Sequence, residues 1–146
     1  WALSRLPFLN RIAVALFRRS RGFTKASLGG IVHDTDTLSE ECVDAVWQYA
    51  RKPNACVAFR NFRTHEMTRA GYVTNFTPRL DALDVPTLFV HGRHDEVVPV
   101  ELAERAASRA PDARLEVLAD CAHWPPREAP DRMVELLTEF CTVTAD

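Results

Sequence analysis

A carboxylate and an imidazole stand in two loops, each of which follows a short apolar run in the second half of the chain. Asp95 lies in the loop 91–99, HGRHDEVVP, and His123 lies in the loop 119–126, ADCAHWPP. A carboxylate that accepts a hydrogen bond from an imidazole N–H fixes the tautomer and orientation of a general base. The two residue types therefore predict proton-transfer chemistry, provided that the fold brings the loops together.

The apolar run before each loop predicts a strand of a parallel sheet. Residues 85–91, VPTLFVH, and 114–119, RLEVLA, are short and rich in β-forming residues, and a helical pattern over 100–110 lies between them. A β-α-β unit sets parallel strands side by side, so the loops after the strands can meet. With a further helical pattern over 130–141, the predicted fold class is α/β with a β-α-β-α end.

The first half of the chain predicts helices. Apolar residues recur at helical spacing over 3–20, and a T-x-x-E capping box at Thr37 and Glu40 predicts the start of a helix that Pro53 ends. A third helix is expected over 54–70. A loop through glycines is expected after the first helix: Gly22, Gly29 and Gly30.

Composition places the chain among ordinary globular proteins. The 146 residues carry a net charge of −2, and 47% are hydrophobic. This balance does not favour a nucleic-acid partner, and no apolar run approaches the roughly 20 residues of a membrane span. Four scattered cysteines, which form no C-x-x-C pair, are expected to be reduced, and a cytoplasmic location is the default: Cys42, Cys56, Cys121 and Cys141.

The two loops and the helix that follows them resemble the carboxyl-terminal end of the α/β-hydrolase family. The residues that match are V-P-T-L-F-V-H-G-R-H-D-E-V-V-P at 85–99 and A-D-C-A-H-W-P at 119–125. In that family the acid lies in a G-x-x-D-x-x-V-P loop, the histidine follows the last strand, and the chain order is Ser, Asp, His. The resemblance implies that Asp95 is the catalytic acid and His123 the catalytic base. Ala122 departs from the family, which usually has Gly there.

The resemblance also implies how the chain is divided. Residues 1–78 would form a helical cap or lid, and residues 79–146 the carboxyl-terminal part of the hydrolase core. The implied activity is hydrolysis of a carboxylic ester or a related acyl or C–C bond in a small molecule with a hydrophobic part, with no metal and no organic cofactor. Four residues are predicted to contact the substrate: Trp124, Val97, Phe59 and Phe62.

The sequence contains no G-x-S-x-G motif and no H-G-G-type oxyanion loop. In the family both come from the amino-terminal half, and two strands alone do not make a stable sheet. We therefore expect that the nucleophile and the remaining strands precede Trp1 or lie in another chain. The 146 residues alone are expected to be inactive.

Other functions stay open at this level. An epoxide hydrolase or a haloalkane dehalogenase would use an aspartate nucleophile in place of serine. A metal hydrolase through His91, His94 and Asp95 is less consistent with the sequence, because H-x-x-H-D matches no common zinc motif. Cys121 is expected to pack rather than to act as a nucleophile. The alternative outside enzymes is a non-catalytic remnant or an interaction module.

Overall fold

A computed structural model describes residues 7–55, 57–68 and 71–143, without the side chains of residues 7–11 and 59. The chain divides into two units by its internal contacts. The first unit comprises residues 1–28 and 38–74, and the second comprises 29–37 and 75–146. The short segment 29–37 thus belongs with the carboxyl-terminal unit, although the change of sequence pattern near residue 78 gave no sign of it.

The described residues of the first unit form four helices and a short hairpin. Its elements are α1 (Pro7–Arg19), α2 (Arg21–Leu28), α3 (Glu40–Arg51), α4 (Val57–His65), β1 (Met67–Thr68) and the antiparallel β2 (Gly71–Tyr72). Thr24, Leu28, Val43 and Ala50 are buried. The hydroxyl of Thr24 donates a hydrogen bond to the Phe17 carbonyl at 2.8 Å, so this polar group is buried with a partner.

Helix α2 replaces the loop that was predicted around Gly22. Ser20 ends α1, and its hydroxyl accepts a hydrogen bond from the N–H of Phe23 at 3.2 Å, which caps the new helix. The guanidinium of Arg21 forms ion pairs with Glu40 and Asp44 on α3. Capping and these ion pairs outweigh the low helix propensity of one glycine.

Two predicted boundaries in this unit are also wrong. Helix α3 is capped by Ser39, whose hydroxyl accepts from the N–H of Cys42 at 3.1 Å, and Thr37 instead donates its hydroxyl to the Asp34 carbonyl. The helix predicted to run to residue 70 ends at His65. The hairpin takes over there, and Gly71 has a positive φ of 122°, a backbone conformation that glycine adopts without strain.

The second unit contains the predicted parallel pair. Its elements are 3₁₀ helices at Thr35–Thr37 and Thr77–Ala82, then β3 (Thr87–Gly92), α5 (Val100–Ala107), β4 (Ala113–Leu118), α6 (Pro125–Glu128) and α7 (Pro130–Val143). Strands β3 and β4 are parallel, in a register from Thr87 opposite Ala113 to Gly92 opposite Leu118. The predicted α/β class and the β-α-β-α order are confirmed. Strand β3 begins one residue after Pro86, which has no N–H to donate.

The core of this unit lies between the strands and α7. Leu118, Cys121 and Leu136 are buried together, with four partly buried residues packed against them: Leu88, Val90, Ala129 and Met133. Leu136 is fully buried, whereas its neighbour Leu137 on the same helix is 49% exposed. No helix within the described ranges combines the length and hydropathy that crossing a membrane requires.

Candidate active site

Backbone hydrogen bonds join the two predicted loops beyond the ends of their strands. After β3 ends at Gly92, the N–H of Arg93 donates to the Leu118 carbonyl and the N–H of His94 donates to the Cys121 carbonyl, both at 2.9 Å. The parallel ladder therefore continues past the sheet into the loops. This continuation holds the Asp95 loop against the His123 loop.

Gly92 allows this close approach. A Cβ at this position would lie 2.5 Å from the carbonyl oxygen of Cys121 and closer still to that of Ala122. No side chain fits beside a backbone at that distance, so the requirement for glycine here is steric. In the sequence Gly92 stands only as the first residue of the G-x-x-D-x-x-V-P pattern, because a contact with residues about thirty positions away leaves no local pattern.

Asp95 is buried in a tight turn whose hydrogen bonds orient its carboxylate. Its side chain is 3% exposed, and Oδ1 accepts the N–H groups of Val97 and Val98, each at 2.8 Å. Burial raises the pKa of Asp95, but hydrogen bonds from Val98, His123 and Val97 together outweigh burial, so the pKa is lowered. The carboxylate is therefore ionised at neutral pH.

The imidazole of His123 forms a hydrogen bond with the other oxygen of this carboxylate. Its Nδ1 lies 2.9 Å from Oδ2 of Asp95, and its backbone N–H donates to the Ile31 carbonyl at 2.8 Å. Because an ionised carboxylate only accepts hydrogen bonds, the proton of the neutral ring lies on Nδ1 and the lone pair on Nε2. The ring is 35% exposed, and no hydrogen bond to Nε2 comes from the residues that the structure describes. The arrangement can take a proton at Nε2 while Asp95 holds the ring in place.

Glu128 also contacts this loop, and it is not among the site residues predicted from the sequence. Its carboxylate accepts the backbone N–H groups of Ala122, Trp124 and His33, at distances between 2.6 and 3.1 Å. The first two flank His123 in sequence. A glutamate five residues after a histidine does not predict this contact, because only the folded structure shows that the loop bends back onto the glutamate side chain.

The other histidines do not form a metal site in the described part of the chain. Nε2 of His91 lies 2.8 Å from the Val98 carbonyl and 3.4 Å from Oδ2 of Asp95, and the ring of His94 stacks on His33 with centroids 4.1 Å apart. No three His, Cys, Asp or Glu side chains among those described are arranged to hold a metal ion. His91 thus supports the Asp95 turn, as a hydrogen-bonded residue at the end of a strand.

Cys121 packs in the core, as the sequence predicted. It is 2% exposed, beside Leu118 and Leu136. Burial raises the pKa of its thiol, and the nearby charges of Glu128 and Asp120 raise it further. A thiol in this environment stays protonated and is a poor nucleophile.

The residues predicted to contact substrate lie in different parts of the chain. A small open depression beside Asp95 and His123 is lined also by His91 and Val98, among others, but not by Val97 or Trp124. Val97 is 49% exposed, and its N–H binds Asp95, whereas Trp124 is half-buried at the start of α6.

The other two predicted contacts belong to the first unit. Phe62 is 44% exposed, and its ring centroid lies 6.0 Å from that of Tyr72. The side chain of Phe59 lies outside the described residues. Substrate contact by any of these four residues stays a prediction.

The sequence profile of the α/β hydrolase fold matches residues 9–130 of this chain, which includes both loops. The chain belongs to the α/β-hydrolase fold family. The order of the acid and the histidine along this α/β-hydrolase chain agrees with that assignment.

Known α/β-hydrolases resemble the chain over most of its length. A 2-hydroxy-6-oxononadienedioate/2-hydroxy-6-oxononatrienedioate hydrolase from Pseudomonas sp is 30% identical over 110 residues, which cover 75% of this chain and 38% of that hydrolase. A solved meta-cleavage product hydrolase from Pseudomonas fluorescens superposes with a TM-score of 0.69 at 23% identity, covering 84% of this chain and 46% of that one.

A thermophilic esterase from Thermogutta terrifontis is also similar. It superposes with a TM-score of 0.66 at 26% identity, covering 92% of this chain and 48% of the esterase. This chain therefore spans about two fifths of the Pseudomonas sp hydrolase and about half of the two solved structures.

Proposed function

We propose that this chain supplies the acid and the general base of a hydrolase that cleaves a bond beside a carbonyl carbon. The observation that carries the proposal is the 2.9 Å hydrogen bond between His123 Nδ1 and the buried carboxylate of Asp95. It directs the lone pair of the neutral imidazole to Nε2, on a ring that is partly open to solvent. A base oriented in this way is suited to activate a hydroxyl nucleophile.

The nucleophile in this proposal is a serine outside the 146 residues, because the five serines here lie in no G-x-S-x-G motif. Nε2 of His123 takes the serine proton as the serine oxygen adds to the carbonyl carbon. The imidazolium then gives that proton to the leaving group as the bond to it breaks, which leaves an acyl-serine. A water next loses a proton to Nε2 and adds to the acyl carbon, and the proton returns to the serine oxygen as it leaves.

Asp95 stays ionised through these steps. Its lowered pKa means that it stabilises the imidazolium as a charge instead of taking the proton. Backbone N–H groups that hold the oxyanion would come from the same segment as the serine. No metal or organic cofactor is required for this chemistry.

The names of the relatives support a C–C bond as the bond that is cleaved. The Pseudomonas sp relative is named a 2-hydroxy-6-oxononadienedioate/2-hydroxy-6-oxononatrienedioate hydrolase, and the Pseudomonas fluorescens structure is a meta-cleavage product hydrolase. We propose a substrate with a ketone carbonyl next to the bond that is cleaved. A carboxylic ester is the second candidate, and the similarity to the Thermogutta terrifontis esterase favours it.

We also propose that residues 1–78 act as the cap of this hydrolase. Apolar side chains there, Phe59 and Phe62, would contact the hydrophobic part of the substrate together with Val97 and Trp124. A cap that excludes water strengthens the electrostatic interactions at the reacting carbonyl.

The test compares the 146-residue chain with the protein obtained by extending its reading frame upstream of Trp1. The extended protein is expected to hydrolyse a 2-hydroxy-6-oxo-dienoate, measured by the loss of absorbance of this substrate, or p-nitrophenyl acetate. The 146-residue chain alone is expected to hydrolyse neither substrate. Labelling of the extended protein by a fluorophosphonate would identify a serine nucleophile. Hydrolysis of an epoxide or a haloalkane in place of both substrates, or no hydrolysis at all, would overturn the proposal.

A further inference from the structure

Glu128 binds the backbone of two separate segments at once. Its Oε1 accepts the N–H groups of Ala122 and Trp124, both at 3.0 Å, and its Oε2 accepts the N–H of His33 at 2.6 Å. A longer contact of 3.1 Å joins Oε2 to the N–H of Ala122 as well. His123 itself donates its backbone N–H to Ile31, in the same segment as His33.

None of the three residues that carry these N–H groups lies within a helix or strand, so the N–H groups are not part of a regular helix or sheet hydrogen-bond pattern. Ala122 and His33 lie outside all regular elements, and Trp124 precedes the first turn of α6. A hydrogen bond from an N–H to a carboxylate is shorter and about twice as strong as one between neutral groups. The residues on either side of His123 are thus held by a single charged side chain.

A helix cap would account for only one of these bonds. Capping of α6 explains the bond from Trp124, the residue at the amino end of that helix. It explains neither the bond from Ala122, two residues earlier, nor the bond from His33. Together the three bonds are those of a carboxylate that fixes the backbone conformation of the His123 loop.

We infer that Glu128 is a positioning residue for His123: it fixes the backbone on both sides of the imidazole and ties that loop to the segment 31–33. The consequence for catalysis rests on the proposed function of His123. A displacement of about 1 Å at a catalytic group lowers turnover on the order of 100-fold. Loss of Glu128 would act on kcat through this displacement, because Glu128 does not line the depression beside Asp95 and His123.

The test uses Glu128→Gln, which keeps the shape of the side chain but turns one acceptor oxygen into an NH₂ group that cannot accept an N–H. Glu66→Gln is the matched control, since Glu66 is also half-buried and its carboxylate accepts a backbone N–H, that of Thr74 at 3.2 Å. In the extended hydrolase, Glu128→Gln is expected to lower kcat about 10- to 100-fold with KM within about twofold. Glu66→Gln should leave both constants unchanged.

A second readout needs no turnover. In the extended hydrolase, proton NMR of the Nδ1–H that His123 donates to Asp95 should show this resonance in the wild type and in Glu66→Gln, and its loss or marked shift in Glu128→Gln. If Glu128→Gln does not fold, hydrogen exchange of the wild type decides: the amides of His33 and Ala122 should exchange slowly although they lie in no helix or strand.

The outcomes separate this inference from the proposed function. An unchanged Nδ1–H resonance and unchanged kcat in a folded Glu128→Gln would overturn the positioning role, as would rapid exchange of both amides in the wild type. If His123→Ala retained full activity, the proposed function would be wrong, whereas the NMR comparison would still test the effect of Glu128 on the position of His123.

Discussion

Gly92 lies where the end of β3 passes the loop that carries His123, and only a hydrogen atom fits at its α-carbon. Four residues further on, the carboxylate of Asp95 accepts two backbone N–H groups as well as the imidazole. The two side chains meet because the backbones beneath them are in contact. The sequence predicted that the two loops could meet, but it did not predict this backbone contact, since nothing near Gly92 in the sequence indicates what it touches.

Gly92→Ala is expected to destabilise the fold by about 3 kcal/mol, because the added methyl would overlap the carbonyl groups of Cys121 and Ala122 and force the two loops apart. Urea unfolding measures the change. Gly22→Ala is the control, since a methyl there meets only Ser20 Oγ at 3.9 Å and lies in α2, where alanine favours the helix. Equal stability of the two variants would contradict the close approach at Gly92.

Asp95 is expected to make stability depend on acid pH. Its pKa in the folded chain is lowered from the ordinary value of 3.8, so the carboxylate stabilises the fold above that value. This contribution is lost as the pH falls through the lower pKa of the folded state. In urea unfolding at a series of pH values from 7 to 3, Asp95→Asn should show a smaller loss of stability on acidification than the wild type. Identical pH profiles of the two proteins would show that the ionised carboxylate of Asp95 does not stabilise the fold through its hydrogen bonds.

Helices and strands were predicted well where side-chain periodicity decides them and poorly where polar caps decide them. Strands β3 and β4 and helix α7 follow from apolar runs and helical spacing, and each lies within a few residues of its predicted position. Helix α2 was missed because Ser20 can end one helix and begin the next. The start of α3 was misplaced because Thr37 and Ser39 are both common capping residues, and only the local backbone selects between them.

Ser39→Ala is expected to lower the free energy of unfolding by about 1 kcal/mol, because the N–H of Cys42 loses the hydroxyl that caps α3. Ser39→Asp should restore the wild-type value, since aspartate caps equally well and its charge is favourable at a helix amino terminus. Thermal unfolding of the three proteins checks this. A stability of Ser39→Ala equal to the wild type would mean that the cap does not contribute.

By its internal contacts the chain comprises a mainly helical unit and an α/β unit, and residues 29–37 belong to the α/β unit although they lie within the segment 1–78 that was predicted as a cap. The segment 29–37 joins the α/β unit through a backbone hydrogen bond from the N–H of His123 to the Ile31 carbonyl. The backbone N–H of His33 also donates to the side-chain carboxylate of Glu128. Main-chain hydrogen bonds between distant segments leave no pattern of side chains. Glu128 was not predicted either, because its partners are backbone N–H groups that almost any residue offers, whereas the loops of Asp95 and His123 predicted that these two side chains could meet.

If the helical unit is the cap of the hydrolase, Phe62→Ala should change substrate preference more than it changes the chemistry. Removing an exposed apolar ring from the substrate path should alter the ratio of kcat/KM for a long-chain and a short-chain ester about tenfold. Tyr49→Ala, which removes another exposed ring of the same unit, is the control. Equal ratios for the two variants would argue against a role of Phe62 in substrate binding.

The pairing of Asp95 with His123 as acid and base is tested most directly by the kinetics of His123→Ala in the extended hydrolase. His94→Ala is the matched control, because His94 is exposed, lies next to Asp95 in sequence and stacks on His33. The proposed mechanism predicts that kcat falls by three or more orders of magnitude in His123→Ala. It also predicts that His94→Ala stays within about threefold of the wild type, since its ring makes no contact with the carboxylate. Turnover by His123→Ala at the wild-type rate would contradict the account.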